Sequence, residues 1–249
     1  MRIDGEFRAA DWESYTMTAS EPFAELEPLA DEIAVVDDAL QELVAAGALP
    51  YADYDAERFL AHRAAVREGF EVPWTAITPR MERLIWAINA IRRPARMIAA
   101  GVFCGFTFIC NAGAGAGPGA VYEAKDLVGV EIKPDEAERA ERNTRGIDPT
   151  ATARVVAADA VEFVAEYPHP IDLLYLDANG DRGRGKGIYL EILEAALDRL
   201  SPDAIVLAHN SVNCAERLSD YLAFVRDPAH FSASMNVILD TEGLEVSAL

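Results

Sequence analysis

Residues 96–132 contain two short apolar runs joined through a glycine-rich turn, and no other segment limits the fold as strongly. The first run ends at Gly101 and Gly105, and the second run carries Glu131 near its end. In a doubly wound α/β sheet, a tight turn and an acidic side chain at neighbouring strand ends form a nucleoside-binding place. This pattern therefore predicts a binding site built from the ends of successive parallel strands.

The composition limits the partners of the chain. Its 249 residues are 51% hydrophobic, which is enough for one large domain or for a domain with a smaller cap. A net charge of −20 disfavours nucleic acid and anionic membrane surfaces, because phosphates would be repelled. The three scattered cysteines match neither a disulfide framework nor a zinc motif, and the sequence begins without a signal-peptide pattern. We therefore expect a cytoplasmic protein that binds a small molecule.

Residues 1–92 contain few strand-like runs and are expected to form a helical cap or lid. Asp55 suits the N-cap of a helix, and Thr78 followed by Pro79 suits the start of another. Aromatic residues of this part either pack internally, cover the binding pocket or meet a second subunit, so a homodimer remains open. The helices predicted in the cap cover residues 28–46, 56–68 and 80–91.

From residue 93 to 249, short apolar runs alternate with helical patterns, which is typical of a parallel sheet covered on both faces. Strands are predicted at residues 96–100, 127–132, 153–157, 171–177 and 204–208. Helices are predicted at residues 106–112, 134–145, 159–166, 186–200 and 214–226. The last two runs, Ser234–Leu239 and Leu244–Ser247, are joined by a hairpin-type connection. We therefore predict a doubly wound, mostly parallel α/β sheet of seven strands that ends in an antiparallel hairpin.

A glycine-rich run, Gly113–Gly119, lies between the first helix and the second strand of this sheet. No Lys-Ser or Lys-Thr pair follows it, as a phosphate-binding loop would require. We therefore interpret it as a flexible connection.

Several motifs occur in the order and spacing of a known family. They read VPWTAITPRMERLIWAI, IAAGVFCGFTF, LVGVEIKPDEAERAERN, VVAADAVEFV, LLYLDANG, LSPDAIVLAHN and GLEVS. The arrangement resembles the class I S-adenosylmethionine-dependent methyltransferases, most closely the small-molecule O-methyltransferases of the catechol and caffeoyl-CoA type. The similarity covers roughly residues 72–249 and implies a Rossmann-like domain.

The resemblance implies that S-adenosylmethionine is bound as a cosubstrate or substrate. The glycine turn would hold its amino-acid end, Glu131 would accept both ribose hydroxyls, and Asp159 would lie beside the adenine. The cofactor-binding residues implied in this way are Gly101, Phe103, Gly105, Glu131, Asp159, Ala160 and Asp177.

Three positions depart from the family pattern. Metal-dependent members bind magnesium through two aspartates and an asparagine, and this chain has Asp177, His209 and Asn210 there. Magnesium prefers oxygen ligands, so an imidazole there lowers the affinity for magnesium and would suit Mn, Fe or Zn better. We expect a metal-free site in which these groups hydrogen-bond the ligand, and any metal present would be held by these three residues. A catalytic lysine of the family is replaced by Gly180, and an acidic residue that helps to hold the methionine amine is replaced by Ala99.

The departures leave three hypotheses open. The first is methyl transfer to an oxygen or nitrogen of a small molecule, with His209 as the general base. The second is cyclisation of S-adenosylmethionine itself, as in the azetidine-2-carboxylate synthases of this fold, with release of methylthioadenosine and a four-ring or three-ring amino acid. The third is a non-catalytic nucleoside-binding subunit. The candidate catalytic residues are His209, Asn210, Asn179, Ser211 and Tyr175.

Overall fold

One twisted sheet lies at the centre of the chain, in a computed structural model that describes residues 5–181 and 183–249. Residues 1–4 of the predicted cap and Arg182 lie outside the described residues. The strands are β1 (Gly5–Arg8), β2 (Arg96–Ala100), β3 (Asp126–Glu131), β4 (Ala153–Ala157), β5 (Ile171–Leu176), β6 (Leu200–His209), β7 (Ala233–Ile238) and β8 (Leu244–Ala248). The helices are α1 (Leu29–Ala45), α2 (Ala56–Gly69), α3 (Pro79–Arg92), α4 (Phe106–Ala112), α5 (Pro134–Ile147), α6 (Ala160–Glu166), α7 (Ile188–Ala196) and α8 (Ser219–Val225).

The strand order confirms the doubly wound sheet. It runs β1-β7-β8-β6-β5-β2-β3-β4, and β8 is antiparallel to both of its neighbours while the other pairs are parallel. The order reverses between β2 and β5, which is where folds of this kind bind their ligands. The helices pack on both faces, as the alternating pattern predicted.

The sheet of the described residues has eight strands, where the sequence pattern predicted seven. The additional strand, β1, is the four-residue segment Gly5–Arg8 and pairs in parallel with β7 at the edge of the sheet. Its side chains alternate between half-buried and exposed, and two of the four residues are charged. Such a short, charged edge strand joins the sheet through main-chain hydrogen bonds, so its sequence shows no clear hydrophobic pattern.

Two predicted helices are shorter in the structure. The helix predicted over 214–226 covers only Ser219–Val225, because residues 211–218 form successive turns. The helix predicted over 186–200 begins at Ile188 and ends in a 3₁₀ turn at Leu197–Arg199. Of the helices in the described ranges, none is long and apolar enough to cross a membrane. The division of the chain at residue 92 remains a prediction.

Helix α3 is buried on all sides, and charged residues on it are buried with the apolar ones. Glu32 of α1 contacts Arg63 of α2 at 2.9 Å and Arg83 of α3 at 2.5 Å. Arg63 also contacts Glu82 of α3 at 2.8 Å. A buried charge is costly unless it is paired. This network therefore joins the three N-terminal helices in one arrangement.

The glycine-rich run is a packed connection rather than a flexible one. Gly113 and Gly119 lie against the fully buried ring of His62, and a Cβ at Gly113 would come within 2.1 Å of that ring. Burial, together with the charge of Arg63, lowers the pKa of His62 to about 3, so its ring is neutral at physiological pH. The glycines are required here because they leave room for the imidazole.

We expect Glu32→Ala to destabilise the fold by about 3–5 kcal/mol, because it leaves two buried guanidinium groups without their shared carboxylate. Urea unfolding followed by circular dichroism measures this change. Glu6→Ala is the matched control: it removes an ion pair whose side chains are about half exposed, so its effect should be below about 1 kcal/mol. Equal effects of the two substitutions would show that the buried network does not stabilise the fold.

Candidate functional site

A cavity of about 520 Å³ lies at the carboxyl ends of β2, β3, β4, β5 and β6. It therefore includes the point where the strand order reverses. The segment before α3 forms another wall. The described residues that line the cavity are Trp74–Ile77, Gly101–Cys104, Phe106, Thr107, Val130–Lys133, Ala158–Ala160, Asp177–Asn179, Lys186, Ile188, His209, Asn210 and Glu242.

The glycine turn after β2 allows the ends of two strands to meet. Gly101 has a φ of +80°, and a Cβ there would lie 2.4 Å from the Cα of Ala178. Gly105 has a φ of +89° and is the N-cap of α4, where a Cβ would come within 3.2 Å of the Ala140 backbone. Glycine suits both positions because it adopts positive φ without steric cost. Gly101 lines the cavity, whereas Gly105 sets the start of the helix behind it.

Glu131 is buried at the end of β3. Its Oε2 accepts a hydrogen bond of 2.8 Å from the backbone N–H of Phe103, and its Oε1 accepts one of 3.1 Å from the N–H of Lys133. Phe103 has a φ of +49°, so the glycine turn bends its N–H towards this carboxylate. Each carboxylate oxygen has further acceptor capacity, which suits a pair of hydroxyl groups.

Asp159 caps α6 at the next strand end. Its Oδ1 accepts from the N–H groups of Val161 at 2.8 Å and Glu162 at 3.2 Å. Both bonds use the same oxygen, so the carboxylate is fixed by the helix and still presents its other oxygen to a ligand. Ala160 lines the cavity beside it.

Asp177 lies beside a lysine and a histidine. The Nζ of Lys186 donates to its Oδ1 at 2.5 Å and to its backbone carbonyl oxygen at 2.8 Å. The Nδ1 of His209 lies 3.6 Å from its Oδ2. Burial alone would raise the pKa of Asp177, but the charges of Lys186 and His209 outweigh burial and hold this pKa below its usual value.

His209 is 3% exposed, and neither ring nitrogen has a hydrogen-bond partner among the described residues. Burial alone would lower the pKa of His209, but the charge of Asp177, with a smaller contribution from Asp240, raises it. A buried polar ring without partners is unusual in a native fold. His209 is therefore placed to exchange a proton with a ligand in the cavity.

Lys186 reaches Asp177 because the loop between them folds back. Gly180 and Gly185 exchange backbone hydrogen bonds of 2.8 and 3.3 Å, forming an isolated antiparallel bridge. Gly180 stands at the position where the methyltransferases that the sequence resembles have a catalytic lysine, and in this chain Lys186 approaches the same aspartate. The sequence did not place Lys186, because the course of a glycine-rich loop leaves no periodic signal.

Glu242 is a cavity residue that the sequence pattern did not identify. Its Oε2 accepts a hydrogen bond of 2.5 Å from the Nδ2 of Asn210, and burial raises its pKa. It lies in the turn between β7 and β8, and the sequence of that turn predicts a hairpin but no binding site. That turn reaches the cavity because β8 begins at Leu244, directly opposite His209 at the end of β6.

Most of the predicted site residues meet at this cavity, but three do not: Gly105, which is the N-cap of α4, Tyr175 and Ser211. Tyr175 is fully buried, because it lies within β5 and its side chain packs in the hydrophobic core between the sheet and the helices. Ser211 donates its hydroxyl hydrogen to Asn236 Oδ1 at 2.7 Å and is absent from the lining. Those that line the cavity are Gly101, Phe103, Glu131, Asp159, Ala160, Asp177, Asn179, His209 and Asn210.

The residues Asp177, His209 and Asn210 fit a divalent metal poorly. The Lys186 ammonium already occupies Oδ1 of Asp177, which leaves Oδ2, the oxygen beside His209, for an ion. Within residues 5–181 and 183–249, no group of three or more His, Cys, Asp or Glu side chains is arranged to hold a metal ion. A divalent cation would have to bind beside an ammonium group that repels it.

Residues 98–211 match the family model described as a methyltransferase domain. No curated protein matches the chain. The fold is similar to that of cofactor-bound Rv0187 from MTB, at 18% identity and a TM-score of 0.60, covering 90% of this chain and 98% of that one. It is also similar to the O-methyltransferase TomG from Streptomyces achromogenes in complex with SAM, at 20% identity and a TM-score of 0.56, covering 78% and 90%.

A third similar structure is the O-methyltransferase from Bacillus cereus in complex with SAH, at 14% identity and a TM-score of 0.56, covering 86% of this chain and 96% of that one. At these identities the likeness concerns the fold. The predicted class I methyltransferase fold is therefore confirmed, with β1 as an addition at its edge.

We expect Gly101→Ala to destabilise the protein by roughly 2–4 kcal/mol, because a positive φ and a backbone clash both oppose the new methyl group. Thermal and urea unfolding measure the effect. Gly146→Ala is the control, since no atom lies within 4 Å of a Cβ in that helical position, and alanine there should be neutral or slightly stabilising. If both variants unfold like the wild type, the close approach at Gly101 is not required.

Proposed function

We propose that this chain, whose residues 98–211 match a methyltransferase domain, transfers a methyl group from S-adenosylmethionine to a small molecule. The observation that carries the proposal is the position of Glu131, a buried carboxylate beside the glycine turn where the strand order reverses. Such a place suits the ribose of a nucleoside. The structures of TomG and of the Bacillus cereus enzyme, described in complex with SAM and SAH, support this choice of nucleoside.

The cofactor would occupy the half of the cavity formed by β2, β3 and β4. Glu131 would accept both ribose hydroxyls, Asp159 and Ala160 would lie beside the adenine, and the turn at Gly101 would hold the amino-acid end. A volume of about 520 Å³ lies within the range of small-molecule sites. The segment Trp74–Ile77 would close this half from the solvent, since the ring of Trp74 packs at a tilt of 34° against Phe103, at a ring-centroid distance of 4.8 Å.

The acceptor would bind in the other half, beside Lys186, His209 and Glu242. An acceptor hydroxyl gives its proton to a ring nitrogen of His209, and its oxygen attacks the methyl carbon in line with the sulfur. The C–S bond breaks as the new C–O bond forms, and its electron pair remains on sulfur, so S-adenosylhomocysteine leaves. The sulfonium charge disappears in this step, and binding and orientation supply much of the acceleration.

Cyclisation of S-adenosylmethionine is the second candidate. Ala99 is fully buried in the core and does not line the cavity, so position 99 offers no carboxylate to hold the methionine amine as an ammonium. A neutral amine is able to attack Cγ of its own molecule. The proton lost from nitrogen passes to His209, and the C–S electron pair leaves with methylthioadenosine.

The two reactions are separated by incubating the protein with S-adenosylmethionine, with and without a panel of phenols and other hydroxyl acceptors. Mass spectrometry should detect S-adenosylhomocysteine only when an acceptor is present. Methylthioadenosine with a cyclic C4 amino acid, formed without an acceptor, would instead establish cyclisation. Binding without turnover under every condition would indicate a nucleoside-binding subunit, and no binding in calorimetry would reject all three hypotheses.

We expect the rate of methyl transfer to rise with pH through the pKa of His209, because only the neutral ring accepts a proton. That pKa is raised above its ordinary value of about 6.5, so the rise should lie on the alkaline side of this value. His209→Gln should lower kcat by about 10²–10⁴-fold and abolish this rise. His169→Gln, at an exposed histidine outside the cavity, is the control. An unchanged pH profile in His209→Gln would exclude His209 as the base.

A further inference from the structure

Lys186 is a buried lysine in a cavity wall. It is 8% exposed, and its ammonium contacts two oxygen atoms of Asp177, one from the side chain and one from the backbone. The bridge between Gly180 and Gly185 brings it there, nine residues after its partner. Burial of an ammonium group is costly, so this pairing is a built feature of the site.

We propose that the Lys186 ammonium is the resident cation of this site and stands where related enzymes bind a divalent metal. The proposal rests on the proposed function and concerns the half of the cavity in which the acceptor would bind. Asp177 is the aspartate that the family pattern assigns to the metal, and the lysine holds the carboxylate oxygen that such an ion would need. The site therefore does not load a divalent ion.

Two further cations among the described residues, Lys133 and Arg184, lie near the cavity without sharing this position. Among the described lining residues, Lys133 is exposed and lies at the opposite end, after β3. Arg184 of the same loop is exposed and pairs with Glu191 at 2.6 Å. Lys186 is thus the lysine whose charge is both buried and directed at the family's metal-binding aspartate.

A fixed ammonium group favours a particular class of acceptor. A nearby positive charge stabilises the ionised form of an acid, so a bound hydroxyl becomes easier to deprotonate. The charge is already in place when the oxygen becomes negative, which lowers the cost of reorganisation. The fixed charge would thus favour an acceptor whose oxygen becomes negative as its proton passes to His209.

Calorimetric titration with Mn²⁺ tests the proposal without an acceptor. The wild-type protein should show no Mn²⁺ binding that depends on Asp177. Lys186→Met keeps an unbranched side chain one atom shorter and removes its charge, and we expect it to gain Mn²⁺ affinity by at least about tenfold. This gain should disappear in Lys186→Met combined with Asp177→Asn. Arg184→Met, which removes one positive charge from the same loop, should behave like the wild type.

The outcomes are distinct. Mn²⁺ binding by the wild type that is lost in Asp177→Asn would overturn the proposal, even if Lys186→Met failed to fold. A folded Lys186→Met protein that gains no Mn²⁺ affinity would also overturn it, because the lysine would then not occupy the place of the ion. Titration of the wild type with S-adenosylmethionine tests the proposed function separately. If the wild type binds S-adenosylmethionine but either of these two Mn²⁺ results is found, only the role of Lys186 is rejected.

Discussion

Glu32 pairs with two buried arginines, Arg63 of α2 and Arg83 of α3, and so fixes α3 between the N-terminal helices and the sheet. The position of the cavity wall follows from this, because Trp74–Ile77 lead directly into α3. With α3 in place, the wall stands opposite the ends of β2 and β3. A charge network far from the reacting atoms thus decides how the cavity is closed.

The two halves of the cavity differ in charge. The half assigned to the cofactor presents Glu131 and Asp159, each fixed by backbone N–H groups. In the other half, Asp177 is paired with the cationic Lys186, and His209 lies beside it. A sulfonium nucleoside suits the first environment, and an oxygen that becomes negative suits the second. The proposed methyl transfer from one to the other would bring these two charges together and remove both.

The sequence was most informative where a residue follows a regular strand. Glu131, Asp159 and Asp177 were predicted because apolar runs mark the strands and parallel strands end at one edge. Lys186 and Glu242 reach the same edge through a folded loop and a hairpin turn, whose course depends on tertiary contacts rather than on periodicity. Tyr175 was placed in the site by its chemistry alone, although its position inside a strand buries it in the core.

Thr78 has two roles at once: it caps α3 by accepting from the N–H of Met81, and it donates its hydroxyl hydrogen to Asp240 at 2.6 Å. Asp240 in turn accepts from the N–H groups of Glu242 and Gly243. The first third of the polypeptide and its last hairpin are therefore mutually dependent. A chimera that exchanged the N-terminal helices for those of a relative would have to keep a hydroxyl group at position 78, or Oδ2 of the buried Asp240 would lose its donor.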